Sequence, residues 1–295
     1  MKEIVVISGK GGTGKTSLVA SLAALSETPV LADCDVDAAD LHLVLEPRIR
    51  HAEDFSGGKS ARIIPDKCSN CGKCFELCRF EAIIKDGSKQ PAFSVDPIAC
   101  EGCGVCSRFC PEKAIEFKLS INGQWFISDT RYGPMVHARL GIAEENSGKL
   151  VSLVRGQARK LAEEKGLPYI IVDGPPGIGC PVIASVTGSD GVLIITEPTV
   201  SGEHDLERVA ELVRHFQIPS YLCINKSDLN SEMSERIVEK AVSCGIKVVG
   251  RIRYDRSVTR AQVKRIPVVE INDSAVADDI RKVWEILTIE INKNN

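Results

Sequence analysis

The stretch KEIVVIS–GKGGTGKT, Lys2 to Thr16, decides the fold. Lys2–Ser8 is a short apolar run rich in Ile and Val, the composition of a strand buried on both faces. Gly9 to Thr16 then follows the spacing Gly9-x-x-x-x-Gly14-Lys15-Thr16. In a loop of this kind consecutive backbone N–H groups cradle the β- and γ-phosphates of a nucleotide, here with Gly11, Gly12, Thr13 and Gly14. Lys15 supplies positive charge, the Thr16 hydroxyl reaches Mg²⁺, and Ser17 lies in the first turn of a helix expected over 15–26. That helix points its positive end at the phosphates. Strand, loop and helix come in the required order, which sets the motif apart from a chance glycine-rich turn.

Outward from the loop, apolar runs at 29–33, 169–173, 192–196, 220–224 and 247–252 read as further strands. Helical spacing separates them, as in 150–165 and in Leu206, Val209, Ala210, Val213 and Phe216. Strands alternating with helices imply an α/β fold with a mostly parallel, doubly wound sheet. The strand YIIVD ends on Asp173 and runs into Gly174-Pro175-Pro176-Gly177. An acid at a strand's C-terminal end, beside a phosphate loop, can hold a water of Mg²⁺. The second strand ends in Asp33-Cys34-Asp35-Val36-Asp37.

Bulk composition is that of an ordinary globular chain: 295 residues, 43% hydrophobic, 26% charged, net charge −3. The acidic balance gives no electrostatic reason to expect nucleic acid. No apolar run approaches a membrane span, and the first residues read as a strand and not a leader. A cytoplasmic location is therefore expected, with no membrane partner. In such a compartment twelve cysteines argue for metal and against disulfides.

Eight of the cysteines form two runs of the form C-x2-C-x2-C-x3-C, namely Cys68, Cys71, Cys74, Cys78 and Cys100, Cys103, Cys106, Cys110. The spacing suits an iron–sulfur cube. Zinc also takes four thiolates, but its ribbons pair two short knuckles across a longer gap, so three cysteines at this spacing favour iron. The runs lie in an internal repeat, DKCSNCGKCFELCRFEAI and IACEGCGVCSRFCPEKAI. A small α+β insert over 63–118 is expected, between ATPase segments 1–62 and 119–295. Cys34, Cys223 and Cys244 fall on strands or helix ends and read as core residues.

Lys10 adds a lysine that an ordinary phosphate loop does not need. With it, KGGTGKT resembles the deviant Walker A loop of the MinD/ParA/Mrp and nitrogenase iron-protein ATPases, and the resemblance extends over nearly the whole chain. It implies that Lys10 reaches across an ATP-dependent homodimer to the partner's nucleotide. It implies that Asp35 positions the attacking water, that Asp33 supports Mg²⁺ hydration and that Asp173 opens switch II. Cys223–Lys226 resembles the segment whose Asn contacts adenine, here Asn225. Arg253 stands where relatives usually carry a proline, which leaves the local path open. The tandem cysteine runs resemble bacterial ferredoxins with two 4Fe–4S clusters. There the fourth cysteine of each run serves the other cluster, implying sets of Cys68, Cys71, Cys74, Cys110 and of Cys100, Cys103, Cys106, Cys78. Arg79 departs from that pattern, where a proline commonly follows the fourth cysteine.

Cys180, seven residues past Asp173, resembles in offset the iron protein's intersubunit cluster ligand, but 111–179 holds no second cysteine to complete such a site. A small residue at a helix start is the plainer reading. The whole implies an ATP-hydrolysing iron–sulfur protein that couples a nucleotide-gated dimer to electron transfer or to cluster delivery, with a redox or cluster-accepting protein as partner. The alternative is a MinD- or ParA-like spatial organiser with redox-sensing clusters. Against membrane cycling, the last helix sets Val276, Ile280, Val283, Trp284 and Leu287 on one face, more often core packing, and the tail INKNN lacks a basic cluster.

Overall fold

The structure is a computed structural model that describes residues 1–141 and 147–293; of the INKNN tail, Asn294 and Asn295 lie outside the described residues. Along the chain, β1 (Lys2–Ser8) leads into α1 (Lys15–Leu25), β2 (Val30–Asp33), α2 (Leu41–Leu45) and β3 (Arg48–Phe55). Next come β4 (Gly58–Ile63), α3 (Lys73–Leu77), β5 (Ile83–Lys85), β6 (Phe93–Val95), α4 (Val105–Arg108) and β7 (Ile115–Ser120). A hairpin, β8 (Gly123–Asp129) and β9 (Pro134–Leu140), precedes α5 (Ser147–Lys165), β10 (Tyr169–Pro176) and α6 (Cys180–Val186). The remainder alternates regularly: β11 (Gly191–Thr196), α7 (Val200–His215), β12 (Ser220–Asn225), α8 (Ser231–Ser243), β13 (Lys247–Ile252), α9 (Ser257–Val263) and α10 (Ala275–Lys293).

A nine-stranded sheet runs in the order β13-β12-β11-β1-β10-β2-β9-β8-β3. Its pairs from β13 through β9 are parallel. β1 is central, and Ile4, Val5, Val6 and Ile7 are fully buried, as a strand covered by helices on both faces must be. The register places Asp173 beside Asp33, so two acids arrive together at the strands' C-terminal ends. The doubly wound sheet is therefore as expected. Three strands at one side, β3, β8 and β9, are additions to the expectation. β9 is buried from Pro134 to Ala138, β8 is partly buried, and β3, where the sheet ends, is exposed at every residue but Phe55.

The chain divides into two compact units. The larger takes Met1–Glu53, Trp125–Arg139 and the chain from Ser147 onward. The smaller takes Asp54–Gln124 with residues from Leu140. Within it β4 pairs antiparallel with β7, and β5 with β6. Its core is small: Ala61, Ile63, Ile83, Phe93 and Ile115, with six of the run cysteines packed against them. The internal repeat is visible in the backbone. Gly72 (φ 77°) and Gly104 (φ 79°) adopt the same left-handed turn and open the matched helices α3 and α4.

Candidate functional site

The phosphate loop joins β1 to α1, and the helix begins at Gly14 in a left-handed conformation with no side-chain cap. A β-carbon at Gly14 would stand 2.5 Å from the Asn225 amide nitrogen, so this position needs glycine twice over, for its φ and for space. Asn225 Nδ2 donates to the Thr13 carbonyl at 2.7 Å and ties the loop to the end of β12. A hollow beside them is lined by Gly14, Ser17, Asn225, Ile252 and Val258.

Lys15 is buried and donates to Asp173 Oδ1 at 2.5 Å, with Asp35 Oδ2 at 3.4 Å. Burial alone would lower its pKa, but the Asp173 and Asp35 charges outweigh burial and raise it. Thr16 Oγ1 donates to Asp173 Oδ2 at 2.8 Å. Burial, with Lys15 opposing it, raises Asp35. Asp33 is fully buried, and burial followed by the Asp173 charge lifts it well above the usual carboxylate range. Its Oδ2 has no hydrogen-bond partner among the described residues. One lysine thus faces three carboxylates around the end of β1. The orphaned Asp33 oxygen, the Thr16 hydroxyl and Asp173 are the oxygen donors a hydrated Mg²⁺ takes, so the residues fit that ion.

Asp33→Asn is therefore expected to stabilise the nucleotide-free protein, because an unmatched buried carboxylate costs about 1–3 kcal/mol. The sign follows from the raised pKa: Asp33 costs nothing below its unfolded value, and stability falls as pH rises from there towards its folded value. The variant should melt higher without nucleotide and lose most of the further rise that Mg·ATP gives the parent. A lower melting point in the free state would contradict the reading.

Lys10 turns back onto its own chain. Its Nζ donates to Ser201 Oγ at 3.0 Å and Thr199 Oγ1 at 3.3 Å, with Glu197 Oε2 at 3.7 Å. Thr199 caps α7, and Glu197 also binds Lys226. The sequence does not mark Thr199 and Ser201 as partners of Lys10, because hydroxyls at a helix start read first as capping residues. Arg253, whose local path the sequence leaves open, clasps Asp279 through Nε at 2.7 Å and Nη2 at 2.9 Å. The backbone beside it is pinned by Tyr254 N donating to Asp228 at 2.7 Å.

The eight run cysteines gather at two hollows of the smaller unit. One is lined by Cys68, Cys71, Cys74 and Cys110. The other is lined by Cys78, Cys100, Cys103 and Cys106. The third cysteine of each run behaves alike, burial raising the thiols of Cys74 and Cys106. Among the described residues no group of three or more His, Cys, Asp or Glu is drawn together tightly enough for a single metal ion. Cys34 and Cys223 are fully buried, which pushes their thiols up and leaves them as core residues. Cys180 is exposed and opens α6, against Gly148 of α5.

Comparison with known proteins covers the same span. An uncharacterized protein of Methanocaldococcus jannaschii is 33% identical, covering 97% of this chain and 96% of that one. The iron-sulfur cluster carrier protein of the same organism is 27% identical over 95% of this chain and 82% of its own. Among solved structures, the septum site-determining protein MinD complexed with Mg-ADP from Pyrococcus horikoshii superposes with a TM-score of 0.59. It is 15% identical and covers 100% of this chain and 98% of that one, a likeness of fold. The family model for the CobQ/CobB/MinD/ParA nucleotide binding domain matches residues 4–268. With its phosphate loop, paired strand-end acids and parallel sheet, the chain belongs to the CobQ/CobB/MinD/ParA nucleotide-binding family.

Proposed function

We propose that the chain is a Mg²⁺-dependent ATPase that carries two 4Fe–4S clusters and couples an ATP-gated homodimer to electron transfer or to cluster delivery. The observation that carries this is the lining of the two hollows, each by three cysteines of one run and the fourth of the other. That crossed donor set is the one a two-cluster ferredoxin uses, and a cube spreads its thiolates further apart than a single ion does. The clusters would supply one-electron carriage. The similarity to an iron-sulfur cluster carrier protein points the same way.

On the nucleotide side, the β- and γ-phosphates would enter the cradle from Gly11 to Thr16 and take over Lys15 from Asp173. Thr16 and Asp173 would then hold the ion, Asp35 would orient the water, and Asn225 would border the base. Phosphoryl transfer asks for this kind of positioning and charge neutralisation more than for a strong base. Lys10 would leave Ser201 and Thr199 to meet the partner's nucleotide.

Anaerobically purified protein is expected to contain about eight irons per chain and to show a broad ~400 nm absorbance that dithionite bleaches. Zinc without iron would end the redox reading. Mixing the loaded protein with redox acceptors or apo-proteins, with and without ATP, separates electron transfer from cluster delivery. A second reading, a MinD-like organiser whose clusters sense redox state, is favoured by the full-length likeness to MinD. In that case ATP would not change the delivery of electrons or clusters to acceptors. The apolar stripe of α10 is engaged in any event: Val276, Ile280, Val283 and Leu287 are buried in the core.

A further inference from the structure

We infer that β3 is a self-complementary edge through which two copies of this chain pair antiparallel. β3 is the last strand of the nine-stranded sheet, and among the described residues nothing pairs along its outer side. Arg48 to Asp54 are exposed on both faces, so no helix covers this end of the sheet. Such an edge is a template for another strand; proline and charged side chains blunt it, unless the charges meet opposite charges across the contact. β3 has no proline and no lysine, and its charges are antisymmetric: Arg48 and Arg50 come first, Glu53 and Asp54 last.

Two copies related by a two-fold axis must meet in opposite directions. With the axis at Ala52, Arg50 lies opposite Asp54 of the partner subunit and His51 opposite Glu53 of the partner subunit. Each pair occurs twice. Facing residues in an antiparallel ladder are the unit of sheet stabilisation, and opposite charges there attract. A parallel arrangement in register would set arginine against arginine. Neighbours on β8 already orient two of these side chains: Asp129 takes Arg50 Nε at 2.6 Å, and Gln124 donates to Asp54 at 2.8 Å. The remaining guanidinium donors of Arg50 and the second Asp54 oxygen are free to turn outward.

This surface lies five strands from β1 in the sheet order and needs neither nucleotide nor cluster. If ATP also closes a dimer at the phosphate loops, the molecule has two different two-fold contacts, and alternating them builds an open chain.

The test is sedimentation velocity over a concentration series, without nucleotide, on the full chain. The parent should show a reversible dimer that high salt weakens. Arg50→Asp or Asp54→Arg alone should weaken it at least about tenfold, since each sets like charges across the axis. The double variant, Arg50→Asp with Asp54→Arg, should restore it. Arg50→Asp also meets Asp129 in its own chain, whereas Asp54→Arg meets only Gln124, so the second single variant is the control for local damage. A parent that stays monomeric, or a double variant no better than the singles, would overturn the pairing.

Discussion

Replacing Cys110 with alanine is expected to empty the hollow of Cys68, Cys71 and Cys74 and to leave the other hollow loaded. Iron should fall from about eight to about four per chain. The reason is the crossed lining: Cys110 belongs by sequence to the second run, yet it faces the first hollow with the first three cysteines. Cys78→Ala is the reciprocal case and should empty the hollow of Cys100, Cys103 and Cys106. If each run instead served its own cluster, the two variants would exchange phenotypes. Pairing either substitution with alanine at Cys71 or Cys103 tells the cases apart. Cys110→Ala with Cys71→Ala strikes one hollow and should keep half the iron; Cys110→Ala with Cys103→Ala strikes both and should lose nearly all. The smaller unit's central cluster holds five buried hydrophobic residues with six run cysteines packed against them, so ligation at those cysteines would carry part of its stability. Loss of both clusters should therefore open Asp54–Gln124 to protease while the sheet of the larger unit resists.

Much of the nucleotide site was legible because its chemistry is local. Gly9 to Thr16 carry the loop in consecutive residues, and the strand before them is apolar enough to fix the order of elements. Asp173 and Asp33 were legible as strand-end acids, and parallel pairing of β2 with β10 then brings them side by side. The crossed cysteine sets came from resemblance, because spacing within a run says nothing about which fourth cysteine closes the site. Less legible was the side of the sheet from β9 to β3. β3 is exposed from Arg48 to Asp54 and carries charges along most of its length, too weak a strand pattern to find between breakers such as Pro47 and Gly57. Nor does the sequence reveal that Arg253 makes a two-pronged clasp on Asp279, since the partners lie 26 residues apart.

The two lysines of the phosphate loop should fail in different ways, and the difference tests the dimer. Lys15 is buried against Asp173 and Asp35, with Asp33 close behind. Lys15→Ala would leave those carboxylates without their cation, a loss on the order of 3–5 kcal/mol when one partner of a buried pair is removed. The free protein should melt lower, and nucleotide binding should fall with it. Lys10 is a third exposed and bound mainly to hydroxyls, so its loss costs the monomer little. Lys10→Ala should keep the parent's melting point and its affinity for ATP under non-turnover conditions, yet lose ATP-dependent dimerisation. Hydrolysis should then drop on the order of 10³-fold, the scale of a cationic finger supplied across an interface. Sedimentation with Mg·ATP and a phosphate-release assay read both effects. Dimers that persist without Lys10, hydrolysing at the parent rate, would mean that the lysine serves only its own loop and the Ser201–Thr199 contact. Ser201→Ala sharpens the case from the other side. It removes the shortest of the bonds that hold Lys10 in its own chain, so it should favour the dimer where Lys10→Ala abolishes it.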